Sequence, residues 1–279
     1  MLEACEAYGE SIAPYEFVGN TVESDRFGEE VVETRTVSFR IRYAPEQEEF
    51  VWAIDRKLDN RLTGEKSERV HALFIQGSTI KVGSSGGGRG DKRFSSFADA
   101  VRESERPTLA YWTLFEFPFF EPGAVKFKKE VGNIHQVGNT VHSENVDGGR
   151  KFTAKIRWTE DHSTIYSWVV VNDGFRVSSL AVGSSFRDEP VSYNTQTNTW
   201  EDFRGRLVPK IIAGDRIMAR PREGSDIWEP GVQTRDTQLE WMHVDELPPL
   251  GSIKEKLSSV IGIRKYISEG QLVAKRENE

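Results

Sequence analysis

The glycine-rich loop at residues 83–91 is the first stretch whose residue types and spacing could support chemistry. Gly83 and Gly88 follow a predicted strand and precede a predicted helix, which is the setting of a phosphate-binding loop. Such a loop continues with a lysine for the β- and γ-phosphates and a hydroxyl for magnesium, but this chain has Arg89 and Gly90 there. We therefore interpret residues 83–91 as a flexible connector and predict no cofactor.

The titratable residues show no catalytic or metal-binding pattern. None of the five histidines belongs to a His-Glu-x-x-His sequence, and acidic pairs such as Asp188 and Glu189 lie near predicted turns, where carboxylates are usually solvated. Cys5 is the single cysteine, which excludes a disulfide within the chain and a multi-cysteine zinc site. The sequence predicts no catalytic residue, no metal site and a protein that is not an enzyme.

The most apolar stretch of the chain, residues 109–120, has two interpretations. Its side chains either fill the core or line a cleft that holds an acyl chain or a hydrophobic part of a partner. Exposed apolar patches of this size are uncommon in monomers, which favours the core. If they line a cleft, the predicted ligand-binding residues are Tyr111, Trp112, Leu114, Phe115 and Phe117, with Trp168 from later in the chain.

These residues must be positioned by an architecture that the sequence repeats. The segment Val18–Ser24 has a near copy at Val137–Ser143, with five consecutive residues identical. Each copy leads into an alternating strand, and a further apolar strand follows, carrying Trp52 in the first half and Trp168 in the second. Self-similarity of this kind indicates a supersecondary unit that is used twice.

Short alternating stretches predict strands along most of the chain. In one of them Phe39 and Ile41 alternate with Arg40 and Arg42, which is typical of a strand with one buried face. Many short strands and few helices predict a mainly β fold, a curved antiparallel sheet that forms an open half-barrel with a few packed helices, or alternatively two repeated β units. The predicted organisation is a single domain over residues 1–279, with related halves at 14–122 and 130–250 and a C-terminal helix at 252–270.

Composition narrows the classes of partner. The 279 residues carry a net charge of -7, which is unfavourable for binding to nucleic-acid phosphates. No apolar run approaches the roughly 20 residues of a membrane-spanning helix, so no membrane span is predicted. The first four residues have neither the charged nor the apolar region of a signal peptide. We expect a periplasmic or envelope location if an upstream signal was removed, and a cytoplasmic one otherwise.

Several segments resemble uncharacterised bacterial envelope proteins with a fold like the lipoprotein carrier LolA. In order they are a helix that contains Ala7 and Tyr8, the segment Tyr15–Gly19, a hairpin over Phe39–Ile54, and the strand pairs around residues 165–175 and 200–210. The resemblance implies a strongly curved antiparallel sheet with helices against its concave side. It also implies that acyl chains bind in the concavity without a metal or a catalytic residue.

Three function hypotheses follow. The leading one is a non-enzymatic envelope protein that binds an apolar ligand, a lipid or a lipidated partner, in the concave face of the sheet. The second is a protein-interaction or scaffolding module in which the same aromatic residues are buried core. The third is a hydrolase of unknown class, which would need several polar titratable groups converging in one cleft.

Overall fold

The computed structural model describes residues 11, 13–84, 89–104, 140–157, 159–171, 176–186, 189–221, 228–242, 253 and 255–277. In these ranges thirteen strands form one antiparallel sheet. The strands of the first half are β1 (Tyr15–Phe27), β2 (Glu30–Ala44), β3 (Glu49–Asn60), β4 (Lys66–Gln76), β5 (Thr79–Ser84) and β6 (Arg89–Arg93). Those of the second half are β7 (Thr140–Val146), β8 (Gly149–Arg157), β9 (His162–Val171), β10 (Val177–Phe186), β11 (Glu189–Phe203), β12 (Arg206–Pro221) and β13 (Trp228–Met242).

The sheet consists of two meanders joined in the middle. Strands β1 to β6 follow one another towards one edge, strands β13 back to β7 lead to the other edge, and β1 pairs with β13 between them. In this central pairing Phe17 lies opposite Trp241 and Thr21 lies opposite Thr237. The prediction of a mainly β fold built on a curved antiparallel sheet is confirmed.

Local turn chemistry shapes two of the hairpins in the first meander. Strands β2 and β3 are joined by a 3-10 turn at Pro45–Gln47, and Glu48 closes it with a positive φ of 51°. Strands β4 and β5 turn at Gly77, whose φ of 56° suits a residue without a side chain. Strand β12 is one of the long strands of the sheet, and its residues 211–221 all pair with β13.

One face of the sheet, here called the aromatic face, carries a single apolar cluster. Its large side chains come from both meanders and include Tyr15, Phe17, Phe39, Trp52, Trp168 and Trp241. Helix α1 (Phe97–Ser104) packs on this face through Phe97, Ala100 and Val101. The ring of Phe97 stacks on Tyr43 with centroids 6.4 Å apart.

The opposite face, here called the helix face, is covered over β1–β4 by the C-terminal helix. The helix was predicted at residues 252–270, but α2 spans Val260–Glu277 and follows a 3-10 turn at Lys256–Ser258. Gly270 does not end the helix. A Cβ on Gly270 would lie 2.7 Å from Val18 and 2.8 Å from Arg40, so its missing side chain lets α2 approach the sheet.

The cover by α2 corrects the prediction for β2. The alternation of Phe39 and Ile41 with Arg40 and Arg42 predicted one buried face, but Arg40 and Arg42 are also buried, at 5% and 3% exposure. The reason is that α2 packs over the strand, and the arginines are paired with Glu16 and Glu49 beneath it.

Within the described ranges, no helix is long and apolar enough to cross a membrane.

The two copies of the repeated segment occupy different places in the sheet. The first copy lies in β1 at the centre, whereas residues 140–143 of the second lie in β7 at an edge. Residues 137–139 lie outside the described ranges. The division into related halves at 14–122 and 130–250 stays a prediction.

Candidate functional site

The aromatic face changes from apolar to charged along its central strands. In β1 the side chains on this face run from Tyr15 and Phe17 through Thr21 to Glu23 and Asp25, and all five are buried. Because successive side chains of a strand alternate between faces, the carboxylates share the face of the aromatic rings. The candidate site is therefore an amphiphilic surface, aromatic at one end and polar at the other.

The aromatic end is a contiguous set of ring contacts. Trp241 has its ring centroid 4.6 Å from that of Phe17 and 5.8 Å from that of Tyr15. Trp52 lies further along the same face, 1% exposed, with its ring edge to face with His71 at 6.1 Å. Its Nε1–H is buried and donates no hydrogen bond to any described residue. A buried donor left unsatisfied costs about 1–3 kcal/mol, so this end offers a position for an acceptor atom.

The charged end is a network across β2, β1 and β13. The Arg35 guanidinium lies 3.3 Å from a Glu23 carboxylate oxygen and 2.9 Å from an Asp25 oxygen. On the other side, Arg235 Nε lies 3.5 Å from Glu23, and the Gln233 amide donates to Asp25 at 2.7 Å. Both arginine side chains are less than a fifth exposed, so the network is mostly shielded from water.

The carboxyl group of Glu23 is the strongly perturbed member of this network. Burial raises its pKa from 4.5 to about 7, although Arg235 and Arg35 both act to lower it. Desolvation outweighs the two ion pairs because Glu23 is 1% exposed and Asp25 adds a like charge nearby. A pKa of about 7 makes Glu23 the group at the polar end of the aromatic face whose charge depends on pH near neutrality.

The predicted ligand-binding residues are only partly described. Trp168 lies on the aromatic face, 4% exposed, and stacks on Phe152 with centroids 6.2 Å apart and an interplanar angle of 18°. The other five, Tyr111, Trp112, Leu114, Phe115 and Phe117, lie outside the described residues. Among the residues that the structure describes, no group of three or more His, Cys, Asp or Glu side chains could hold a metal ion.

Sequence reasoning missed the polar end of the face. Glu23 and Asp25 are an even number of residues from Tyr15 and Phe17, so their phase in β1 already placed them on the apolar side. Arg35 is in phase with Phe39 in the same way. The signal was available, but charged residues at a strand end are usually assigned to solvent, and their partner Arg235 is about 200 residues away in sequence.

Comparison with known proteins gives a likeness of fold. The chain is similar to a DUF1329 family protein from Desulfovibrio piger (11% identity, TM-score 0.39, covering 88% of this chain and 93% of that one). It is similar to a LolA superfamily protein from Nitrosomonas europaea (10% identity, TM-score 0.39, 88% and 94% covered). A chain of the Pseudomonas aeruginosa MucA/MucB complex is more distant (9% identity, TM-score 0.21, 92% and 97% covered).

No protein-family model and no curated protein sequence matches the chain. The predicted resemblance to LolA-like proteins is confirmed as a weak structural likeness. That likeness concerns the fold alone.

Proposed function

We propose that the protein is a non-enzymatic binder of an apolar ligand, a lipid or a lipidated partner, held on the aromatic face. The observation that carries the proposal is the composition of this face. Rings from β1, β2, β3, β9 and β13 belong to one cluster that extends over both meanders. Aromatic side chains supply large apolar contact area, and ligand sites are typically lined by them with a few placed polar groups.

Two polar features support a ligand site in addition to a core. The Trp52 indole N–H is buried without an acceptor among the described residues, so a ligand oxygen would satisfy it. The Glu23 network adds buried charged groups at the far end of the face, where an apolar core would have none. Neither feature supplies a nucleophile with an adjacent base, which is why the proposal is binding and not hydrolysis.

The aromatic segment at residues 109–120 belongs to the same proposal. We propose that Tyr111, Trp112, Leu114, Phe115 and Phe117 add apolar contacts to the ligand that Trp168 also contacts. The proposed location is the bacterial periplasm or cell envelope, which fractionation of the source cells would test directly.

A neutral apolar fluorophore tests the proposed function without relying on charge. N-phenyl-1-naphthylamine is expected to bind saturably, with a blue-shifted emission, and to be displaced by dodecanol. Phe152→Asp places a carboxylate on the aromatic face beside Trp168. This variant is expected to bind the probe about tenfold more weakly, because the bound probe would remove water from the new charge.

Tyr193→Asp is the matched control, because Tyr193 is 45% exposed and its register partner Ile217 is exposed as well. The control is expected to bind the probe like the unchanged protein. Thermal unfolding of both variants checks that each is folded. Absence of saturable probe binding to the unchanged protein would contradict the proposed function.

The second candidate function, a protein-interaction module, is favoured by a different surface. Val232, Ile217 and Tyr193 are consecutive register partners on the helix face of β13, β12 and β11, and each is at least 40% exposed. The row continues through Gly183 to Ile165, which is 41% exposed. An apolar row of this kind suits a protein partner. If the unchanged protein does not bind the apolar probe, the protein-interaction module becomes the leading candidate.

A further inference from the structure

The Glu23 network begins a row of side chains that crosses the aromatic face from β1 to β9. The row consists of consecutive register partners, which are Glu23, Arg235, Gly214, Gln196, Leu180 and Trp168. Trp168 belongs to the apolar cluster and Leu180 packs against it. Along β1, Phe17 lies on the same face as Glu23. A ligand on these rings therefore borders the network both across the sheet and along the strand.

The proton of Glu23 decides the charge of this network. The charged groups that contact one another here are Glu23 and Asp25 of β1, Arg35 and Glu33 of β2, and Arg235 of β13. Three carboxyl groups thus face two guanidinium groups. The network is balanced when Glu23 holds a proton and has an excess negative charge when Glu23 is ionised. Because the Glu23 side chain is 1% exposed, water does little to relieve that excess.

Other charged groups of the aromatic face lie further from Glu23. Arg216 of β12 and Arg56 of β3 are each one row of register partners away. His71 of β4 is two rows away. Histidine also titrates near neutral pH, but covering its charged form releases a proton, whereas covering a carboxylate takes one up. His71 and Glu23 would therefore change ligand affinity in opposite directions as the pH changes.

We propose that the protein takes up a proton on Glu23 when a ligand binds to the aromatic face, so that ligand affinity depends on pH. This inference rests on the proposed function and adds the regulation of the same site. A bound ligand replaces water beside the network, and loss of water disfavours the charged form of a carboxyl group.

The direction of the pH dependence follows from the two protonation states. In the ligand-free protein, burial already raises the pKa of Glu23 to about 7, and covering the network raises this pKa further. Below pH 7 both the free protein and the complex hold the proton, so affinity is highest there. As the pH rises above 7 the free protein loses its proton first, and affinity falls.

The affinity for N-phenyl-1-naphthylamine at about pH 6 and about pH 9 tests the inference, because this probe is uncharged at both values. The unchanged protein is expected to bind it about tenfold more tightly at the lower pH, which corresponds to a rise of about one unit in the pKa of Glu23. Glu23→Gln, which stays neutral, is expected to bind the probe equally well at both values. Asp215→Asn is the matched control and should keep the pH dependence, because Asp215 is exposed on the helix face of β12.

Calorimetric titration with the same probe counts the protons directly. At about pH 7.5, titrations in phosphate and in Tris differ by the ionisation enthalpies of the two buffers. The unchanged protein is expected to take up about half a proton per bound probe, and Glu23→Gln none. The proton count of the unchanged protein decides the matter even if Glu23→Gln does not fold.

Each outcome separates the proton link from the binding that it regulates. The link is overturned, and the proposed function stays intact, if the probe binds equally at both pH values or if Glu23→Gln keeps the pH dependence. Tighter binding at the higher pH, with proton release, also overturns the link and points to His71. Loss of the pH dependence in Asp215→Asn overturns it as well, because net charge would then be the cause. If the probe does not bind at either pH, the proposed function fails and the link fails with it.

Discussion

Replacing Arg40 by Met is expected to lower the free energy of unfolding by about 3–5 kcal/mol, because it breaks a buried ion pair. The Arg40 guanidinium pairs with Glu16, which is 0% exposed, and donates from Nη1 to the Tyr266 carbonyl at 2.8 Å. It also lies 4.1 Å from the centre of the Tyr266 ring. One side chain thus links the central strands to helix α2.

The loss of stability in Arg40→Met arises mainly from the carboxylate of Glu16. Without Arg40 its carboxylate keeps one described donor, the Tyr266 hydroxyl at 3.2 Å. Burial, reinforced by Glu16, raises the pKa of Tyr266 well above its usual value, so the phenol stays protonated and can donate. A buried charge with a single neutral donor is poorly compensated. The double variant Glu16→Leu/Arg40→Met is therefore expected to regain most of the loss.

Urea unfolding, followed by circular dichroism, measures the effect. Arg264→Met is the control on the same helix, because Arg264 pairs with Asp55 and Glu68 but its side chain is 40% exposed. Exposed pairs contribute about 0–1 kcal/mol, so the control should change stability little. A loss in Arg40→Met no larger than in Arg264→Met would show that the pair beneath α2 does not hold the helix in place.

The unfolding free energy of the protein is expected to fall as pH rises from about 4.5 to about 7, relative to that of Glu23→Gln. The pKa of Glu23 is raised in the folded state to about 7 from 4.5, so between these values the folded protein keeps a proton that the unfolded chain has released. A proton bound by the folded state alone makes stability decrease with pH, by about 1.4 kcal/mol per unit. The total over the window is about 3 kcal/mol.

The comparison with Glu23→Gln isolates this carboxyl from the other titrating groups. Arg235 of β13, Arg35 and Glu33 of β2, and Asp25 of β1 remain in both proteins, so only the Glu23 proton differs. Asp236→Asn is an exposed change on the opposite face of the sheet. Its unfolding free energy should depend on pH with the same slope as that of the unchanged protein. If stability relative to Glu23→Gln instead rose with pH, the ion pairs with Arg35 and Arg235 would outweigh the desolvation of Glu23.

Alternation of apolar and polar residues predicted the sheet, because each strand buries one face and the pattern of that face lies within the strand's own sequence. The β2–β3 hairpin follows from Phe39, Ile41, Trp52 and Ile54 alone, and its turn follows from Pro45. These signals are local, within about twenty residues, so a single sequence contains them. The fold class and most strands could therefore be predicted.

The candidate site depends on contacts that no local pattern contains. The sequence pattern predicted an exposed Arg40, because the helix that buries it, α2, begins more than 200 residues later in the chain. Glu23 meets Arg235 only because β1 pairs with β13 at the centre of the sheet. Without tertiary contacts, charged residues on a strand are predicted to be exposed to solvent. For this reason the sequence analysis did not predict the polar end of the aromatic face.

Native mass spectrometry of the freshly purified protein, before and after organic extraction, tests the central claim most directly. A non-covalent ligand on the aromatic face predicts an added mass of an acyl lipid or another amphiphile that disappears on extraction. The extracted protein should then regain that mass when it is incubated with the extract. A single apo mass before extraction, together with no mass gain after incubation with dodecanoate or dodecanol, would contradict the claim that this sheet holds an apolar ligand.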